Sequence, residues 1–325
     1  MMFTDGSTAR GIRELMPHES DEFVGLMEIA FRNSIEEDRL DTDELRKILE
    51  KIHTRVYKII ARIIGMRMEF YVAKVEDTIA SGIQLNIDKN EVYVGNLMTH
   101  PEFRRQGLAR ELLRLSFKRA LELGRTRVRL DARADNVNAV GLYTSEGFET
   151  TYHICRFDLD SVIDSDASSS KDLSIREVGK IAFGDIEPML DDCIPASHLD
   201  VLGREKYVKD FIPSKAIRFF AKRLAGQSIN TYAFYVMGDE KPRGFIQASQ
   251  SRIEDRIRLS SPILKEEDNE LLIEVIPKIL EIESGYSGLT TATVNSSVHR
   301  VDTISRIESL GFRKVRESVS MTKRL

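Results

Sequence analysis

The sequence predicts an α/β protein, α+β in some schemes, built as two tandem copies of one domain. Three observations carry that expectation. The chain has 325 residues, and domains usually run about 100–150 residues, so two are expected. Landmarks recur in the two halves: Gly11-Ile12-Arg13-Glu14-Leu15 against Ser174-Ile175-Arg176-Glu177-Val178, and Ser145-Glu146-Gly147-Phe148 against Ser309-Leu310-Gly311-Phe312. Ile12 and Gly147 lie 135 positions apart, Ile175 and Gly311 136, and such periodicity reports a repeated architecture. Third, the first half contains a strand, a glycine-bearing turn, a long amphipathic helix and another strand, the pattern of a parallel βαβ unit. The expected boundaries are 1–160 for the first domain, 161–172 for a linker and 173–325 for the second. The linker contains Asp164-Ser165-Asp166-Ala167-Ser168-Ser169-Ser170, polar and small, with nothing to bury.

The elements of the first half follow in order. Arg10–Leu15 is a strand and Glu19–Phe31 a helix with Phe23, Leu26, Met27 and Ala30 on its apolar face. Thr42–Ile52 is a helix, with Thr42 as N-cap and Asp43 and Glu44 in its first turn. Glu69–Val75 and Ala80–Ile87 alternate as strands around a turn at Asp77, and Val92–Thr99 is the next strand. Arg105–Leu123 reads as a long helix with Leu108, Leu112, Leu115 and Ala120 on one face and Gly124 at its end. Arg127–Asp131 is a strand, Ala139–Glu146 a short helix stopped by Gly147, and Thr150–Leu159 the strand that closes the sheet.

Composition excludes several classes. Hydrophobic residues make up 42% and charged residues 31%, as in soluble globular proteins. The net charge of -4 argues against a nucleic-acid partner, whose binders are usually basic. Cys155 and Cys193 are too few for a disulfide framework. The polar stretch Met1–Arg10 has no apolar signal core, and no uncharged run approaches the ~20 residues needed to span a bilayer. A cytoplasmic protein without membrane or nucleic-acid partners is expected, as a monomer or a homodimer. The histidines His18, His53, His100, His153, His198 and His299 are scattered without metal-ligand spacing, so no metal is expected.

The chemistry concentrates where the strand ending Leu97-Met98-Thr99 meets the long helix, through His100-Pro101-Glu102-Phe103-Arg104-Arg105-Gln106-Gly107-Leu108-Ala109-Arg110. Free N–H groups at a helix N-terminus bind anions, and Gly107 lets the backbone approach one closely. Arg104 and Arg105 place positive charge where the helix dipole disfavours it, at a cost of ~0.3–1 kcal/mol each, which a bound anion would offset. A solvated basic helix start is the plainer alternative. No Walker-type phosphate motif occurs.

Arg104, Gly107 and Ala109 fit the pattern [QR]-x-x-G-x-[GA], and Asn136, Ala139, Leu142, Tyr143, Gly147 and Phe148 fit N-x-x-A-x-x-L-Y-x-x-x-G-F. Together, over residues 10–157, they resemble the GCN5-related N-acetyltransferase (GNAT) family. The resemblance implies a mixed, mostly antiparallel sheet flanked by helices in each copy, with acetyl-CoA as co-substrate and an amine as acceptor. It implies that amides from Arg105 through Gln106, Gly107 and Leu108 to Ala109 cradle the pyrophosphate, beside Arg104 of the motif. Arg110 is most simply on the solvated face of the long helix, its alternative a contact with the 3′-phosphate. The main chain of Leu97, Met98 and Thr99 would pair with the pantetheine arm. Asn136 and Ala139 would support the arm or the local turn. Tyr143 resembles the acid that protonates the leaving thiolate; its plainer reading is a core aromatic. Two carboxylates are candidate bases, Asp131, twelve residues before Tyr143, and Glu91, at the head of the neighbouring strand; for each the alternative is a strand-end carboxylate in solvent.

The second half lacks these residues. Ile307 stands four before Gly311, where Tyr143 stands four before Gly147, and Arg300 stands where Asn136 would be. The turn Ile263–Glu270 has no glycine and four carboxylates, which repel a pyrophosphate. A degenerate copy without a CoA site is expected. The functional expectation is an acetyl-CoA-dependent N-acetyltransferase with its site in the first half. A non-catalytic acyl-CoA sensor, with the second half as interaction surface, is the alternative.

Overall fold

The computed structural model describes residues 10–64, 67–161, 172–289 and 291–325. The expected linker lies almost wholly outside them. The described chain forms two compact units: the described residues of 10–131, with Asn138–Glu149 and Met321–Leu325, fall in unit 1, and Ala132–Val137 and the described residues of 150–320 in unit 2.

Unit 1 opens with β1 (Arg10–Glu14) and four helices, α1 (Ser20–Ala30), α2 (Arg32–Asp38), α3 (Thr42–Ile52) and α4 (Arg55–Ile64). The cap of α3 is Asp41 rather than the expected Thr42. Its carboxylate accepts the N–H groups of Asp43 at 2.9 Å and Glu44 at 3.1 Å. The meander β2 (Arg67–Val75), β3 (Thr78–Ile87) and β4 (Val92–Thr99) follows, then α5 (Leu108–Glu122), β5 (Arg127–Arg133) and α6 (Val137–Ser145). β1 through β4 pair antiparallel in sequence order, whereas β4 and β5 run parallel. The helical crossover is thus the βαβ unit the sequence predicts. The core fills with Phe23 of α1, Ile83 and Leu85 of β3, Val92 and Val94 of β4, and Leu108, Leu112 and Leu113 of α5, all at most 3% exposed.

The strand expected to close the first sheet goes elsewhere. After α6 the chain runs into β6 (Glu149–Leu159), and from Thr150 onward it belongs to unit 2. There it pairs antiparallel with a strand of the second half, Leu159 opposite Ala292 through Ile154 opposite Ser297. In return, residues Met321–Leu325 belong to unit 1, where the Leu325 N–H donates to the Thr126 carbonyl at 2.9 Å. Two copies of one fold offer the same strand slot, so alternation alone cannot say which strand fills which.

Unit 2 repeats the order of elements: β7 (Leu173–Glu177), α7 (Phe183–Cys193), α8 (Ala196–Leu202), α9 (Arg204–Phe211), α10 (Lys215–Ala225), β8 (Ser228–Val236), β9 (Gly244–Ser251), β10 (Glu254–Leu259), β11 (Ile263–Leu264), α11 (Leu272–Ser287), β12 (Ala292–Ser297), α12 (Val301–Ser309) and β13 (Arg313–Arg324). β10 and β12 are its parallel pair, bridged by α11. Among the described residues, no helix is long and apolar enough to cross a membrane.

Candidate active site

The turn between β4 and α5 is shaped by backbone conformations that ordinary residues avoid. A short 3-10 turn spans Pro101–Phe103, and Arg104 is extended at φ -66° and ψ 159°. Arg105 then takes φ 65° and Gly107 φ 86°, both left-handed. For the arginine this costs about 1–2 kcal/mol. Successive N–H groups in such alternating conformations form a concave nest for an anion, at the positive end of the helix dipole. Strain of this kind persists where a function uses it. The helix expected from Arg105 starts only at Leu108, because left-handed residues cannot continue it. Leu108 is buried and anchors the turn, while Arg105, Gln106 and Gly107 are exposed. Arg104 turns back, its Nε donating to the Thr99 carbonyl at 3.3 Å.

β4 is bent beside this turn. Ile83 pairs with Leu97 but Leu85 with Val94, so Gly95 and Asn96 together oppose Gln84 in a β-bulge. Pairing with β5 runs only from Val92–Val128 to Val94–Leu130, although β4 continues to Thr99 and β5 to Arg133. The strands part beyond Leu130, and Leu97, Met98 and Thr99 keep β3 as their ladder partner. Three side chains that sequence reasoning did not single out cluster at the bulge. Asn96 donates to Gln84 at 2.8 Å, and Gln84 to Asn86 at 2.9 Å.

Tyr143 is 7% exposed and packs 5.9 Å from Phe148. Burial pushes its phenol up to about 12. A second phenol lies near. Tyr93 donates its OH to Asp131 Oδ2 at 3.0 Å, with the Arg129 guanidinium 4.9 Å from its ring centroid. Burial first, then the Asp131 charge, holds the Tyr93 phenol well above its ordinary value, and the charge of an ionised Tyr143 would add to that. Tyr93 sits in an apolar alternation, Val92-Tyr93-Val94, which reads as plain strand. Its pairing position beside β5 was the available signal.

The two candidate bases differ. Asp131 is exposed and joined to Tyr93. Glu91 is 3% exposed and engaged by two arginines, Arg127 at 2.7 Å and Arg129 at 3.4 Å. The strand-end carboxylate expected in solvent is instead in a buried ion pair that ties the head of β4 to β5. Arg110 is also engaged: with Arg114 it clamps Glu146, each at 2.9 Å, tying α5 to α6. Asn136 and Ala139 open α6, where Asn136 donates its N–H to the Arg133 carbonyl at 3.1 Å and is exposed. His100 is a turn residue whose Nδ1 accepts the Glu102 N–H at 3.4 Å. No group of His, Cys, Asp or Glu among the described residues is arranged to hold a metal.

The acetyltransferase (GNAT) family model matches residues 25–148, which span the turn, the bulge and Tyr143. Residues 25–148 form a GNAT acetyltransferase domain. Solved structures extend the likeness in fold across the whole chain. A tandem GNAT protein from the clavulanic acid biosynthesis pathway, solved without AcCoA, is 13% identical with a TM-score of 0.64, covering 97% of this chain and 98% of its own. A GCN5-related N-acetyltransferase from Sphaerobacter thermophilus is 12% identical with a TM-score of 0.58, covering 97% and 95%. No curated protein matches the sequence.

Unit 2 carries the GNAT fold with a different interior. Where unit 1 has its nest, unit 2 has a 3-10 helix, Glu266–Leu271, that follows an extended Lys265. No described residue between Ile263 and Leu272 has a positive φ. Arg300, at the register of Asn136, is buried. Its guanidinium donates to the Leu264 carbonyl at 3.1 Å, Asn269 Oδ1 at 3.0 Å and Thr303 Oγ1 at 3.1 Å, and lies 2.7 Å from Cys193 Sγ. The Arg300 side chain thus ties β11, the 3-10 helix and the start of α12 together beside Cys193 of α7.

Proposed function

We propose that unit 1 is an N-acetyltransferase that moves the acetyl group of acetyl-CoA directly to an amine. The observation that carries this reading is the pair of left-handed residues, Arg105 and Gly107, at the head of α5, beside a strand that has parted from its neighbour. Amides from Arg105 to Ala109 hold the pyrophosphate, and the main chain of Leu97, Met98 and Thr99 takes the pantetheine arm. The chemistry at the matched tyrosine supports the same reading. The acceptor nitrogen attacks the thioester carbonyl, the C–S bond breaks, and Tyr143 gives its proton to the departing sulfur. A phenol pushed up to about 12 stays protonated throughout the physiological range, as a proton donor must.

Asp131 takes the proton that the new amide loses. Its hydrogen bond from Tyr93 fixes the carboxylate, and its exposure gives water access to it. Glu91 is left out of this role because its oxygens already face Arg127 and Arg129. An amine of the lysine type, with a reference pKa of ~10.4, costs about 4.6 kcal/mol to neutralise at pH 7, so such an acceptor needs the base more than an α-amine does. A peptide N-terminus, a lysine and a small amine all remain acceptors of this chemistry. Arg300 and the 3-10 helix at Glu266–Leu271 support a single site per chain.

The test is a thiol-release screen with acetyl-CoA over N-terminal peptides, lysine peptides, polyamines and amino sugars. At least one amine is expected to release CoA thiol in step with its own acetylation. Tight acetyl-CoA binding with no release over the whole panel would overturn catalysis in favour of a sensor.

A further inference from the structure

Residues Met321–Leu325 are the only part of the described chain beyond Glu149 that belongs to unit 1. Lys323 among them reaches the end of the helix that carries Tyr143. Its Nζ donates to the Glu146 carbonyl at 2.7 Å and lies 5.1 Å from the Phe117 ring centroid. The rings continue inward: Phe117 is 5.8 Å from Phe148, and Phe148 is 5.9 Å from Tyr143. Between these groups the chain turns at Gly147, with φ 86°, where a Cβ would stand 2.8 Å from the ammonium. The glycine is required for its backbone conformation, and its lack of a Cβ leaves room for the end of the Lys323 side chain.

We infer that Lys323 is a positioning residue for Tyr143, through which residues Met321–Leu325 take part in the acetyl transfer. The inference rests on the reading of Tyr143 as the acid. The carbonyls at the end of a helix have no partner within it, and a cation there satisfies one and complements the dipole. The turn that Lys323 holds feeds straight back to the acid, since the Phe148 N–H donates to the Tyr143 carbonyl at 3.0 Å. Without the ammonium, the Glu146 carbonyl loses its bond and the Phe117 ring that packs on Phe148 loses the cation over it. A shift of about 1 Å in a reacting group costs on the order of 10²-fold in rate. Coenzyme A binding should be spared, because neither partner of Lys323, Glu146 or Phe117, belongs to the turn Arg104–Gly107.

The experiment compares Lys323→Met and Lys323→Arg in the full chain, with thermal melts as the folding control. Lys323→Met is expected to lower kcat by about 10–100-fold while the KM for acetyl-CoA stays within about threefold, and Lys323→Arg to recover most of the loss. A second readout does not depend on turnover. In protein labelled with 3-fluorotyrosine, the Tyr143 resonance is identified by its absence in Tyr143→Phe. That resonance should move or broaden in Lys323→Met and return in Lys323→Arg. A resonance unmoved in Lys323→Met overturns the inference, as does a kcat loss accompanied by equal loss of CoA binding that arginine does not rescue. Should the wild-type chain transfer no acetyl group, the acid reading fails while the fluorine signal still decides the positioning.

Discussion

Gly107→Glu should abolish coenzyme A binding, with the dissociation constant rising by more than about a thousandfold in calorimetry. Two effects add. The residue stands at φ 86°, and any L side chain there costs about 1–2 kcal/mol. The new carboxylate then faces the proposed pyrophosphate, and two unit charges about 4 Å apart repel by roughly 4 kcal/mol at an effective dielectric of 20. Crowding is not the cause, because a Cβ at Gly107 would meet only Glu111 Oε1, at 3.9 Å. Gly107→Ala therefore separates the two. It keeps the strain and lacks the charge, so a loss of about 5–30-fold is expected. If alanine and glutamate weaken binding equally, the anion site lies elsewhere.

Tyr143→Phe should lower kcat by about 10²–10⁴-fold, the usual range for a positioned proton donor, while acetyl-CoA affinity changes less than about threefold. The ring stays against Phe148, so the fold loses little. The pH profile carries a second expectation. A donor whose pKa is raised is protonated below that value and lost only above it. With the phenol near 12, wild-type kcat should show no descending limb up to about pH 10. The ascending limb, from deprotonation of the acceptor amine, should survive in Tyr143→Phe. A variant with unchanged turnover would remove Tyr143 from the acid role.

Much of this was legible in the chain because it is local. The turn at Asp77, the helix after Gly107 and the Gly-Phe endings are punctuation of short range, and β4 spans Val92–Thr99 as its alternation says. α2, Arg32–Asp38, escaped because seven mostly polar residues present no apolar stripe. α4, Arg55–Ile64, buries Tyr57 and Ala61 four residues apart, but Arg55, Lys58 and Arg62 break up its apolar run and blur the period. In the site, the motif positions Gly107 and Tyr143 could be read directly. Tyr93 could not, since its importance comes from a partner 38 residues away, Asp131. Glu91 looked like a free strand-end carboxylate until Arg127 and Arg129 closed on it. The destination of residues 150–159 and 321–325 was hidden for a related reason: two copies of one pattern pair equally well in either arrangement, and only tertiary packing chooses.

The most direct test of one live site beside a silent copy is the stoichiometry of coenzyme A binding to the full chain. Titration calorimetry should give one coenzyme A per chain, and Gly107→Glu should remove it entirely. Two molecules bound per chain, or one that persists in Gly107→Glu, would contradict the account.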